Sequence, residues 1–142
     1  MNDTVELLRE CDSGTKMAVS SIDDILDKVR DKSLKSLLSD SKSEHSAVGN
    51  KIHSMLSDLG SDDKSPNPIA SGMSSAMTDI KTAVGGGDET IADIITDGCN
   101  MGVKSLNRYL NKFSAADESA KKVCRELSDM EESLGRDLRR YL

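Results

Sequence analysis

Aromatic residues are nearly absent from this chain: Tyr109, Phe113 and Tyr141 supply the whole 2%, and there is no tryptophan. Sheet cores draw on aromatic and β-branched side chains, so this scarcity favours packed helices built from Leu, Ile, Val, Met and Ala. Proline occurs only at Pro66 and Pro68, both within SDDKSPNP, where they forbid a regular helix. No apolar run approaches the roughly 20 residues needed to span a bilayer, so no membrane partner is expected. MNDTVELLREC lacks the basic start and apolar stretch of a signal peptide, and a cytoplasmic location is expected. The three cysteines, Cys11, Cys99 and Cys124, are odd in number, widely spaced and free of any CxxC pair. That pattern excludes a disulfide framework or zinc knuckle and leaves reduced thiols in or near the core.

Positive charge is also in deficit. With a net charge of -6 and a pI near 4.9, the chain has no basic surplus with which to neutralise phosphates, and nucleic acid is excluded as a partner. The basic cluster in RDLRRYL (Arg136 to Leu142) is accounted for by the favourable placement of cations in a last helical turn. A length of 142 residues fits a single domain over 1–142 with one core.

What the chain does contain is helical periodicity. Asp3 and Glu6 read as a capping pair, followed by Leu8, Cys11, Thr15, Ala18, Ile22, Ile25 and Val29 at alternating steps of four and three. This predicts a first helix over about 3–30. After the polar RDKS, the stripe Leu34, Leu38, Ser41, His45, Val48, Ile52 and Leu56 predicts a second, antiparallel helix over about 33–59. A crossover over 60–87 follows. Its stretch Ile69 to Val84, with Met73 and Met77, has weak amphipathic spacing and predicts a short extra helix, and the two methionines suggest either bundle packing or an apolar patch. GGG at 85–87 lacks the lysine of a phosphate loop and reads as a helix stop. Asp88 is the expected cap of a third helix over 88–113, whose inward face carries Ile91, Ile95, Gly98, Gly102 and Leu106, the glycines permitting close backbone approach. Ser114 and Asp117 form a further capping pair, and Ala120, Val123, Leu127, Leu134 and Leu138 trace a fourth helix over 115–142.

Two antiparallel helices, a long crossover with its own short helix (PNPIASGMSSAMTDIKTAVGGGDE), and two more antiparallel helices beginning with Ile91 to Phe113 form a layout that resembles the ferritin-like four-helix bundles, especially small stand-alone members. The resemblance covers nearly the whole chain and implies an up-down-down-up, all-α fold. It also implies a di-metal site built from a Glu on each of two helices and a Glu-x-x-His on each of the other two. The sequence departs from that ligand set: Glu44 is followed at the third position by Ala47, and Glu131 by Leu134. Glu6, Glu10 and Asp24 project away from the stripe of the first helix, Asp12 reaches at best its rim, and Asp93 and Asp97 oppose the inward face of the third. An intact two-metal centre is therefore not expected.

The two histidines share one helix but not one surrounding. At about 100° per residue, His45 lies within about 40° of the stripe centre, Glu44 about 65° off, and His53 more than about 100° away. Eight residues separate the histidines by about 12 Å along the axis, too far to share one ion. His53 is expected in solvent. In a ferritin-like frame His45 falls level with Thr15, Gly102 and Glu131, so three readings stand: a buried polar contact of His45 with Glu131, with Tyr109 nearby; a single iron, manganese or zinc ion on His45, Glu131 and a third ligand from Glu44, Cys99 or Tyr109; or no contact. A Cys and His enzyme lacks the necessary adjacency, because Cys11 lies roughly 9 Å along the bundle from His45. The sequence thus points to a ferritin-like bundle without a catalytic residue set or resident cofactor, acting on a protein partner or as a homodimer. A degenerate one-metal or redox protein is the alternative.

Overall fold

The computed structural model describes residues 2–61 and 86–142. The expected crossover helix with Met73 and Met77 lies outside the described residues. Among the described residues four long helices form an all-α bundle: α1 (Asp3–Ile25), α2 (Lys32–Asp58), α3 (Gly87–Lys112) and α4 (Glu118–Leu138). Among the described residues, no helix is long and apolar enough to cross a membrane.

Side chains that tie the helix ends together establish the directions. At one end, the Asp88 carboxylate at the start of α3 accepts from the backbone N–H groups of Arg30 and Asp31, in the α1–α2 turn, at 2.9 and 2.8 Å. The Ser33 and Tyr141 hydroxyls meet at the same end, at 2.6 Å. At the other, Asp3 and Thr4 of α1 accept from the N–H groups of Ala115 and Asp117, in the α3–α4 turn, at 3.1 and 2.8 Å. The chain therefore runs up, down, down, up. Helices α1 and α2 form one closely packed antiparallel pair and α3 and α4 the other, while α1 also touches α3 and α4, and α2 touches α4.

Several boundaries differ from those expected of the sequence. Helix α1 stops at Ile25, continues as a 3₁₀ turn over Leu26–Lys28, and leaves Val29 extended, rather than running to 30. Its N-cap is Asn2, whose side chain accepts from Thr4 N–H at 2.8 Å; Asp3 is spent on the distant Ala115 amide. The N-cap of α3 is Gly86, because the carboxylate of Asp88 is committed to the α1–α2 turn. Helix α4 begins at Glu118 and its regular part ends at Leu138, with a final 3₁₀ turn over Arg139–Tyr141, so the expected span of 115–142 is too long at both ends. The Asp117 N-cap makes no side-chain capping bond, so the expected pairing with Ser114 is absent there.

The buried apolar side chains fall into two clusters rather than one. The first joins Leu7, Leu8, Cys11, Val48, Ile52 and Leu127, with others, near the start of α1. The second joins Ile22, Ile25, Leu34, Leu38, Ile95 and Leu138, with others, near the α1–α2 turn. Between them lies a layer of buried polar groups that includes Thr15, Ser41, His45, Ser128 and Glu131. The fold thereby positions a polar site at mid-bundle with apolar packing above and below.

Candidate functional site

His45 sits on the inward face of α2 and is 1% exposed. Both ring nitrogens meet acceptors. Nδ1 donates to the Ser41 carbonyl one turn earlier at 2.8 Å, and Nε2 lies 2.8 Å from Oε1 of Glu131 on α4. A neutral imidazole carries one proton and Nδ1 uses it, so the bond to Glu131 requires a second proton, residing on the ring or on the carboxyl. Either way the pair is electrically neutral, which is what makes its burial tolerable. Burial pushes the His45 pKa down, but the hydrogen bond and negative charge of Glu131, with smaller help from Ser41 and Glu44, outweigh it and hold the ring above its ordinary value.

Glu131 is held from a third helix as well. The thiol of Cys99 on α3 lies beside it, and burial together with that carboxylate drives the Cys99 pKa far upward, keeping the sulfur protonated. Gly102 on α3 lies close beside this carboxylate: a Cβ there would stand in ordinary van der Waals contact with the Glu131 side chain, at 3.4 to 3.5 Å. Gly98, grouped with it as a close-approach position in the sequence, instead faces open space: a Cβ added there would meet nothing within 4 Å.

The other residues singled out from sequence are not gathered at this centre. Glu44 and His53 are on the exposed side of α2. Tyr109 is half-buried and pairs with Glu10 of α1, not with His45 and Glu131. The helical rise is the cause: Tyr109 lies two turns beyond Gly102, about 10 Å along α3 at 1.5 Å per residue. Asp12, expected at the rim, is 4% exposed and pairs with Lys16 at 2.9 Å. All three cysteines are free and buried, and Cys11 and Cys124 contact each other through their thiols. Among the described residues, no group of three or more His, Cys, Asp or Glu side chains is arranged to hold a metal ion.

A cleft of about 420 Å³ opens between α1 and α3 and reaches down to His45, Cys99 and Glu131. Glu10, expected to project away from the core stripe, lines this cleft together with Tyr109, and Asp97 lies at its exposed rim. Sequence projection missed Glu10 because it measured direction against a single core axis, whereas α1 has a separate face toward α3. The one available signal was the acid's register opposite an aromatic hydroxyl on an antiparallel helix.

Fold and site together define the class: an all-helical, up-down-down-up four-helix bundle with a buried His and Glu pair at its centre. Residues 3–112 match the family described as "Domain of unknown function (DUF2383)", and the chain belongs to that family. No curated protein matches it. Among solved structures it is similar to the crystal structure of a DUF305 fragment from Deinococcus radiodurans, at 12% identity and a TM-score of 0.75, with 97% of this chain and 93% of that one covered. At that identity the likeness concerns the fold.

Proposed function

We propose that this chain is a non-catalytic bundle of the ferritin-like type, working by binding to a protein partner or a second copy of itself, with His45 and Glu131 as structural elements. One observation carries the reading: each ring nitrogen of His45 is already engaged inside the protein, by Ser41 and by Glu131, each at 2.8 Å. A metal ligand or general base needs a free lone pair directed at an ion or substrate, and this ring offers none without first giving up the Glu131 bond. The net charge of -6 favours a partner with a basic surface.

The alternative is a single ion near His45. It draws support from the imidazole of His45 and the carboxylate of Glu131 meeting at 2.8 Å across two helices. Elemental analysis of protein purified without added metal separates the two readings. The structural reading expects no stoichiometric metal. One equivalent of iron, manganese or zinc that disappears in His45→Ala overturns it in favour of the metal site.

A further inference from the structure

The α1–α3 cleft has a construction and a charge that the structural role of His45 does not explain. Its α1 wall carries Gly14, Ala18 and Ser21, and its α3 wall Gly98, Gly102 and Ser105. The helices are antiparallel and Glu10 is level with Tyr109, so Gly14 stands opposite Ser105, and Ser21 opposite Gly98. Small residues thus face small residues along the seam, and the volume between them stays open where larger side chains would close it. At about 420 Å³ it falls within the range of small-molecule sites.

The charged groups lining this volume are acidic apart from His45, which Glu131 already matches. Glu10, Asp97 and Glu131 line the cleft, and among the described residues no lysine or arginine does. Glu131 is already engaged by His45 and Cys99. Glu10 is different: half-buried at one end of the cleft, it faces the Tyr109 hydroxyl and no cation among the described lining residues. Lys112 acts on Glu10 through its field, from outside the cleft lining. Holding a carboxylate charge in a half-buried position is costly, and a cationic ligand beside it would offset that cost. The Tyr109 ring at the same end adds a face suited to a cation. Toward the other end the inner wall is apolar, through Ile22 and Ile95, and Asp97 stands only at the exposed rim.

We propose that this cleft binds a small protonated amine with an apolar body, its ammonium group donating to Glu10 beside Tyr109 and its body extending toward Ile22 and Ile95. An anion finds no cation in the described lining other than His45, which Glu131 already matches, and a neutral apolar molecule leaves the charge of Glu10 unmatched, so the charge of the site selects among ligands of one shape.

The chain has no tryptophan, so all indole fluorescence comes from the added compound, and its anisotropy reports the bound fraction. Tryptamine, its anionic counterpart indole-3-propionate and neutral 3-methylindole are titrated against the full chain at neutral pH. Saturable one-to-one binding of tryptamine is expected, at least tenfold tighter than either counterpart and at least tenfold weakened in Glu10→Gln. Gly98→Leu fills the cleft from a position where a Cβ meets nothing within 4 Å, and it is expected to abolish binding while melting no lower than the parent. Absence of saturable tryptamine binding, equal binding of the anion, an unchanged affinity in Glu10→Gln, or full binding by a folded Gly98→Leu would each overturn the proposal.

Discussion

The bundle's two apolar clusters and the polar layer between them are buried to the same degree but held together differently. Leu8 in the first cluster and Leu34 in the second are 0% exposed, and His45 between them is 1% exposed. The leucines contribute through transferred area and close packing, which are non-directional. His45 contributes only as long as Ser41 and Glu131 meet its two nitrogens. The consequence is asymmetric tolerance: a leucine can be exchanged for another hydrophobe at small cost, whereas the layer fails if one member alone is removed.

The largest effect expected follows from that asymmetry. His45→Ala leaves Glu131 buried without its imidazole partner and should cost about 3–5 kcal/mol, against about 2–5 kcal/mol for Leu8→Ala, which opens only a cavity. The two are separated by a second step. Replacing both members of the pair, His45→Leu with Glu131→Leu, removes the unmatched charge and should recover most of the loss, while no partner substitution rescues Leu8→Ala in the same way. Urea midpoints with unchanged denaturant slopes provide the measurement. A double variant no more stable than His45→Ala would show that the layer depends on shape rather than on charge compensation.

Much of this architecture was legible in the sequence, and the illegible parts have a common cause. The four stripes identified the helices, and the projection of α2 turned His45 inward and His53 outward, because those properties depend on residues within a few turns of each other. The loss of Asp88 as the cap of α3 depends instead on its bonding to amides 57 and 58 residues away. The same holds at the site. The contact of Cys99 with Glu131 and the displacement of Tyr109 onto Glu10 follow from how neighbouring helices are set lengthwise, and no single helix contains that register.

A medium-sized effect concerns pH. Glu131 holds His45 above its ordinary value despite burial, so the folded protein binds this proton more tightly than the unfolded chain does. The sign follows: this stabilisation is fully present below the unfolded value of about 6.5 and is lost as the pH rises through the higher folded value. Subtracting the melting temperature of the His45→Leu, Glu131→Leu variant from that of the wild type isolates the pair, since most other titrating groups are common to both. The difference should fall as pH is raised above neutrality. A difference that grows with pH would mean that the buried ring is bound in its neutral form.

The smallest effect contrasts the open seam with a closed one. Gly98 and Gly49 both lie inside long helices, where glycine costs about 0.8–1.0 kcal/mol relative to alanine. At Gly98 an added methyl group meets nothing within 4 Å, so Gly98→Ala should stabilise the fold by nearly that full amount, about 1 kcal/mol. At Gly49 the same methyl would stand 3.1 Å from Thr15 Oγ1, and that hydroxyl is already tied to the Asp12 carbonyl at 2.8 Å. Thr15 is also buried, so it has little freedom to withdraw, and overpacking should offset the helical gain. Gly49→Ala should therefore be neutral or destabilising. Paired urea titrations of the two variants read the packing of the α1–α3 and α1–α2 seams directly; equal stabilisation by both substitutions would mean that the α1–α2 seam yields as readily as the cleft.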